Sequence, residues 1–309
     1  MKRRTVLTLA CMFALAGSLT ARAATPAPIP NTWTGIERVV AIGDVHGDCK
    51  QFVVSLKAAG IINDKEDWIA GKTHLVQTGD ILDRGDESRK AMDLLMKLET
   101  QAAAAGGMVH ALLGNHEAMV MIGDYRFITP GEDEAFGGRE QYIQAMGPEG
   151  KYGKWLRTHN TVIKINEVMF LHAGLPPSMA EMSLDQINDN VRKALNGDRP
   201  LKGLLKSGGP LWYRHWVDED PAVVAEACDG FFTKHAVRHA VVGHTVAGVK
   251  TFGNGRVICI DSGMSAVYKG TASALVIEKG TFTAIIPDQP AVVLEVKYDP
   301  AQKLQRKAA

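Results

Sequence analysis

Cysteine is scarce in this chain, with four in 309 residues, at 11, 49, 228 and 259, and no CxxC pair among them. That usage implies no disulfide framework, and because Cys11 falls in the leading apolar stretch, the three others leave room for at most one bridge in a mature chain. Net charge is nearly absent too, because 35 Lys and Arg stand against 34 Asp and Glu, a balance of +1. Such a balance provides no electrostatic footprint for nucleic acid or for an anionic membrane surface. Internal repeats and low-complexity segments are missing as well. The apolar stretch from Val6 to Leu19 is interrupted by Thr8, Gly17 and Ser18 and falls short of the ~20 residues of a spanning helix. It follows Lys2, Arg3 and Arg4 and precedes Ala21-Arg22-Ala23, so residues 1–23 read as a removable export signal. The expectation is a periplasmic or secreted mature chain with no stable membrane insertion after cleavage.

What remains is ordinary globular composition, 46% hydrophobic and 22% charged, enough for one large domain over 37–309 after a Pro-rich linker at 24–36. The run Arg38 to Ile42 ends at Gly43 as a buried strand should. A helix is expected from Cys49 to Ala59, capped by Asp48 and closed by Gly60. Strand Thr73 to Thr78, a helix from Glu87 to Ala105 with Asp86 as its cap, and strand Met108 to Leu113 follow. This βαβαβ order predicts parallel strands with right-handed crossovers. Residues 123–157, rich in Gly, charge and aromatics, predict a helical cap beside the site. Further on, the chain predicts strands at Thr161 to Ile165, Val168 to Leu171, Ala236 to Val242 and Val257 to Ile260, with a helical interlude from Ser183 to Leu204. Together these imply an α/β architecture of two packed sheets flanked by helices.

Five short motifs carry the chemistry: GDVHG at 43–47, GDILDRG at 79–85, GNHE at 114–117, HAG at 172–174 and GHT at 243–245. Each places metal-type ligands directly after an apolar run. Asp44 and His46 lie two apart, so both can reach one cation from extended backbone. Asp80, Asn115, His172 and His244 complete a mixed oxygen and imidazole set that suits Mn, Fe or Zn. The expected arrangement is two divalent metal ions, one held by Asp44, His46 and Asp80, the other by Asp80, Asn115, His172 and His244. Asp44 and Asp80 return only half the charge of two such ions, and the surplus favours a bridging hydroxide as in-line nucleophile and a phosphate dianion as substrate. Arg84 is suited to phosphate by its forked donors. Arg214, within Leu211-Trp212-Tyr213-Arg214-His215-Trp216, is a second candidate, the alternative being an arginine stacked on Trp212 or Trp216. His116 is placed to protonate a leaving group, with Asp83 to orient it, and Glu117 to bond backbone near Asn115. The other six histidines, at 74, 110, 159, 215, 235 and 239, read as surface or hydrogen-bonded structural residues. A covalent-cysteine mechanism is excluded, because Ser55, Lys234 and Ser265 stand six residues after Cys49, Cys228 and Cys259, where an arginine is needed.

These motifs resemble the metallophosphoesterase (calcineurin-like) superfamily and within it the phosphoprotein phosphatase family. The GPLWYR and DYRF segments and the export signal are similar to its bacterial Shewanella-like branch. The resemblance spans about residues 37–265 and implies a four-layer α/β/β/α sandwich, a dinuclear site with the roles given above, and a phosphorylated protein, peptide or small phosphomonoester as substrate. One segment departs: the eukaryotic members' SAPNY is replaced by Ile260-Asp261-Ser262-Gly263-Met264-Ser265. Their toxin sensitivity and regulatory grooves are therefore not implied. Two rivals share parts of the pattern. A symmetrical dinucleoside polyphosphate hydrolase also opens with GDVHG but carries GNHD where Glu117 stands, and a metal-binding pseudoenzyme would have no need of His116, Asp83 and Arg84 together.

Overall fold

The computed structural model describes residues 29–296. Residues 1–23, read above as an export signal, lie outside them, as do the start of the linker and the basic carboxyl terminus. In chain order the regular elements are β1 (Thr32–Trp33), β2 (Arg38–Ile42), α1 (Cys49–Ala58), β3 (His74–Gln77), α2 (Ser88–Ala104), β4 (Met108–Ala111) and α3 (Asn115–Met121). Next come α4 (Pro130–Phe136), α5 (Arg139–Met146), α6 (Lys151–Leu156), β5 (Val162–Ile165), β6 (Val168–Leu171) and α7 (Leu184–Leu195). The series ends with α8 (His215–Asp218), α9 (Pro221–His235), β7 (His239–Val242), β8 (Lys250–Phe252), β9 (Val257–Cys259), β10 (Ala274–Glu278), β11 (Thr281–Ile285) and β12 (Val292–Val293).

Two six-stranded sheets form, in the orders β12-β11-β10-β2-β3-β4 and β1-β5-β6-β7-β9-β8. Strands β2, β3 and β4 run parallel, as do β6, β7 and β9. Alternation along each strand divides the core. Val39 and Ala41 face the second sheet, packing with Val76, Phe170, Val241 and Ile258, whereas Val40 and Ile42 face α1 and α2 with Phe52, Leu56 and Leu95. On the outer face of the second sheet, Trp216, Phe231 and Phe232 pack against Met169, Ala240 and Val257. The result is the four-layer α/β/β/α sandwich.

Local chemistry explains most element ends. The Asp48 carboxylate accepts the Gln51 N–H at the start of α1, and Gly60 turns out of it at φ +65°. Four expectations need correction. Asp86 does not cap α2: Glu87 occupies the cap position without a side-chain bond, and the Asp86 carboxylate instead accepts the Thr129 hydroxyl. The linker is not wholly irregular, since Thr32 and Trp33 pair with Lys164 and Ile165. No strand begins at Ala236, because α9 runs to His235 and Ala236 ends it in the left-handed region at φ +48°, so β7 starts three residues later. Finally, the helices of the 123–157 insertion pack against α2, through Arg89 to the Ala135 carbonyl, Tyr152 to Asp93 and Trp155 to Glu99, and the segment just before α4 is what reaches the site.

Candidate active site

All five motifs lie at carboxyl ends of parallel strands, three from the first sheet and two from the second, and they converge on one pocket. Close approach of the loops requires their glycines: a Cβ on Gly114 would overlap the Asp80 carboxylate, and one on Gly243 would overlap Asp44. The same crowding holds His46, Asp80, Asp83, Arg84 and His244 at φ between +45° and +71°. Such residues cost on the order of 1–3 kcal/mol each and persist where the surroundings enforce them, commonly at functional sites.

Asp80 is central. Its Oδ2 lies 3.5 Å from His46 Nε2 and 3.3 Å from His172 Nε2, while Oδ1 accepts the His116 N–H at 2.9 Å. His172 Nε2 is in turn 3.0 Å from Asn115 Oδ1 and 3.1 Å from His244 Nδ1. Asp44 accepts the His244 N–H with both oxygens and lies 3.9 Å from His46 Nε2. Donor atoms therefore gather in two groups, His46 with Asp80 and His116, and Asp80 with His172 and His244, each within 4.8 Å. Asp80 belongs to both.

The donor chemistry fits cations. Carbonyl oxygens of Leu82 and Thr78 face Nδ1 of His46 and His172, so each Nδ1 carries the proton and each Nε2 turns a lone pair into the site. Nε2 of His244 is buried with no hydrogen-bond partner among the described residues. Burial, then the neighbouring histidines, push His244 down to about 2, and burial likewise brings His46 to about 4, so both are neutral and ligand-competent at pH 7. Burial, with Asp261 and Asp80 alongside, drives the Asp44 carboxyl well above its usual range. Three buried carboxylates this close call for positive charge that the side chains do not provide.

Beside this set, His116 Nδ1 donates to Asp83 Oδ2 at 2.6 Å and its Nε2 lies 3.5 Å from Arg84 Nη2. Its ring meets that of His46 edge-on, with centroids 4.7 Å apart. Burial alone would lower the His116 pKa, but Asp80 and Asp83 outweigh it and raise it above 6.5. Glu117 accepts N–H bonds from Asp80, Ile81, Leu82 and Gly114 at 2.8–3.2 Å, joining the loops that bear Asp80 and Asn115. Arg214 Nη1 donates to the His244 carbonyl at 2.9 Å and Thr245 Oγ1 at 3.0 Å. These bonds hold it in the pocket lining, and no cation–π contact with Trp212 or Trp216 is found among the described residues. The pocket measures about 280 Å³.

Sequence reasoning misses five of its parts. Met119, Arg126, Phe127 and Tyr268 also line the pocket, and Asp261 lies buried behind it with burial raising its carboxyl to about 6. Asp261 had a signal, an acid directly after the apolar run Val257 to Ile260. Met119 lies on α3 one turn after Asn115, whereas Arg126, Phe127 and Tyr268 stand in segments without periodicity.

Residues 37–248 match the sequence model of the calcineurin-like phosphoesterases. The chain belongs to this family. As a calcineurin-like phosphoesterase it is a metal-dependent phosphoester hydrolase, and several of the proteins it resembles are named as phosphatases. It is 32% identical to Shewanella-like protein phosphatase 2 of Arabidopsis thaliana, over 77% of this chain and 73% of that protein. Shewanella-like protein phosphatase 1 of Plasmodium berghei is 30% identical over 75% and 68% respectively. Among solved structures, the cold-active protein-tyrosine phosphatase of a psychrophilic Shewanella species superposes with a TM-score of 0.78 at 33% identity, covering 87% of this phosphoesterase and 83% of that chain.

Proposed function

We propose that this protein is an exported phosphomonoesterase with two divalent cations, acting on phosphoserine, phosphothreonine or phosphotyrosine in proteins or peptides. The observation that carries the proposal is the position of the Asp80 carboxylate between two histidine groups, which suits a ligand shared by two ions. Asp44, His46 and Asp80 would hold one ion, and Asp80, Asn115, His172 and His244 the other; Mn, Fe and Zn all suit these donors. When bound, such ions lower the pKa of coordinated water and neutralise charge on a phosphoryl group.

The chain's own residues do the rest. Arg84 and Arg214 both line the pocket and can grip phosphate oxygens with paired N–H donors. His116, charged through Asp83, carries the proton that a departing alkoxide needs. Glu117 and the Leu82 and Thr78 carbonyls keep the ligands oriented. The names of the relatives, protein phosphatases and a protein-tyrosine phosphatase, support a phosphoprotein over a dinucleotide, as does Glu117 in place of the aspartate of the GNHD pattern.

The test is turnover by the purified chain on phosphopeptides, dinucleoside polyphosphates and para-nitrophenyl phosphate with added Mn, with metal content measured on the same sample. Two metal equivalents and monoester hydrolysis are expected. Hydrolysis of dinucleotides alone would reassign the substrate, and metal binding without turnover would leave a binding protein. Export is read separately, from intact mass: a mature chain beginning at Ala24 is expected, and retention of residues 1–23 would refute it.

A further inference from the structure

Arg84 has an unusual setting for a phosphate-binding arginine. Among the described residues no carboxylate forms a salt bridge with it, its Nε is buried without a hydrogen-bond partner, and its Nη2 has a long contact of 3.5 Å with His116 Nε2. A guanidinium on a three-carbon stem is not held in place by that. Two aromatic faces flank it instead: its central carbon lies 4.6 Å from the ring centre of Phe127 and 5.3 Å from that of Tyr268. Both distances fall within cation–π range. The same rings touch the imidazoles, Phe127 at 5.1 Å from His116 and Tyr268 at 5.6 Å from His46.

Both aromatics are presented by anchored backbone. The Phe127 carbonyl accepts the Arg84 N–H at 3.0 Å, tying the two residues together at the main chain. Tyr268 follows a tightly bonded turn in which Ser265 Oγ donates to the His46 carbonyl at 3.3 Å and the Ala266 N–H to Asp48 Oδ2 at 3.2 Å. Its own N–H bonds to the Ser265 carbonyl at 2.9 Å, and Asp261 holds the Gly263 N–H at 2.8 Å. This is the segment at which the chain departs from the SAPNY pattern.

We infer that Phe127 and Tyr268 are positioning residues that clamp the Arg84 guanidinium between their ring faces, so that its donors are preset for a phosphate dianion. The inference rests on the phosphate-binding role proposed for Arg84. Tyr268 acts through its ring face and not its hydroxyl, and neither aromatic touches the phosphate.

The clamp is measured by the affinity of inorganic phosphate for the Mn-loaded protein, by calorimetry, and by KM and kcat on para-nitrophenyl phosphate. Tyr268→Ala is expected to weaken phosphate about 3- to 10-fold and raise KM in parallel, as loss of one partly exposed cation–π contact should. Tyr268→Phe should keep affinity within about twofold of the parent, because the ring remains. Phe127→Leu should weaken phosphate in the same direction, with thermal denaturation confirming that it folds. The deciding arm is a cycle with Arg84→Ala, in which Tyr268→Ala should change affinity by less than about twofold once the guanidinium is gone. Additive losses in the cycle, or a Tyr268→Phe as weak as Tyr268→Ala, would overturn the clamp in favour of direct contact with the ligand. Absence of turnover in the parent would defeat the phosphomonoesterase reading while the affinity series still decides the clamp. A parent that binds no phosphate would overturn both.

Discussion

Replacing Glu117 by Gln should destabilise the protein far more than an isosteric change normally does. Both carboxylate oxygens are spent on main-chain donors: Oε2 accepts the Asp80 and Gly114 N–H groups at 2.8 Å, and Oε1 those of Ile81 and Leu82 at 2.8 and 3.2 Å. All four partners are donors, so an amide in either orientation turns its NH₂ toward two of them. Glu117 is fully buried, and water cannot repair the mismatch. At ~1–3 kcal/mol for each buried donor left unsatisfied, the loss is roughly 2–6 kcal/mol, against a total stability on the order of 5–15 kcal/mol for a typical domain. Urea denaturation followed by circular dichroism, in chelator so that metal binding does not mask the change, should show a lower midpoint with an unchanged slope. Exposed Glu134→Gln serves as control and should stay within about 0.5 kcal/mol of the parent. A Glu117→Gln midpoint equal to that of the control would refute the reasoning, and with it the view that this carboxylate ties the Asp80 loop to the Asn115 loop.

Three further outcomes follow from the same geometry. Glu132 is buried with Oε2 on the Ser88 N–H and Oε1 unpartnered among the described residues, and burial raises its carboxyl from 4.5 to about 7. An acid with a raised folded-state pKa costs nothing below its unfolded pKa, and its full penalty is present above the folded one. Glu132→Gln should therefore gain stability relative to the parent as pH climbs from about 4.5 to 8, by up to ~3 kcal/mol, and a pH-independent difference would contradict this. His116→Asn should keep its metals yet lose roughly 10²–10⁴-fold in rate on alkyl phosphates, with a smaller loss on para-nitrophenyl phosphate, whose leaving group needs no proton. Equal losses on both esters would mean that His116 positions phosphate instead. Asp80→Asn should bring bound metal well below two equivalents by elemental analysis and abolish turnover, and full occupancy with a normal rate would remove Asp80 from the ligand set.

How much of this is legible in the residues depends on the distance over which a part is specified. The ligand motifs are readable because each is a local rule, an apolar run followed at once by a donor, with a glycine between them in all but HAG, and the parallel strand order brings every such loop to one edge of its sheet. Even Glu117 falls within that reach, since it caps a turn only three residues from Gly114. Helix α9 is readable in principle, since Asp220 and Pro221 are a start signal and buried Val224, Cys228, Phe231 and Phe232 recur at helical spacing, but its end at the left-handed Ala236 has no such signal. Tyr268 is different in kind. It lies 184 positions from Arg84, in a loop with no periodicity, and what places its ring over the guanidinium is hydrogen bonding to His46 and Asp48 on another strand's loop. Ser265 and Ala266 supply the bonds on its own side, but their partners lie about 220 positions away in the chain. Donors that bind a cation must come in recognisable chemical types, whereas a surface that holds an arginine needs only a flat ring in the right place. A second chain could therefore build the same clamp from a different loop and retain all five motifs unchanged.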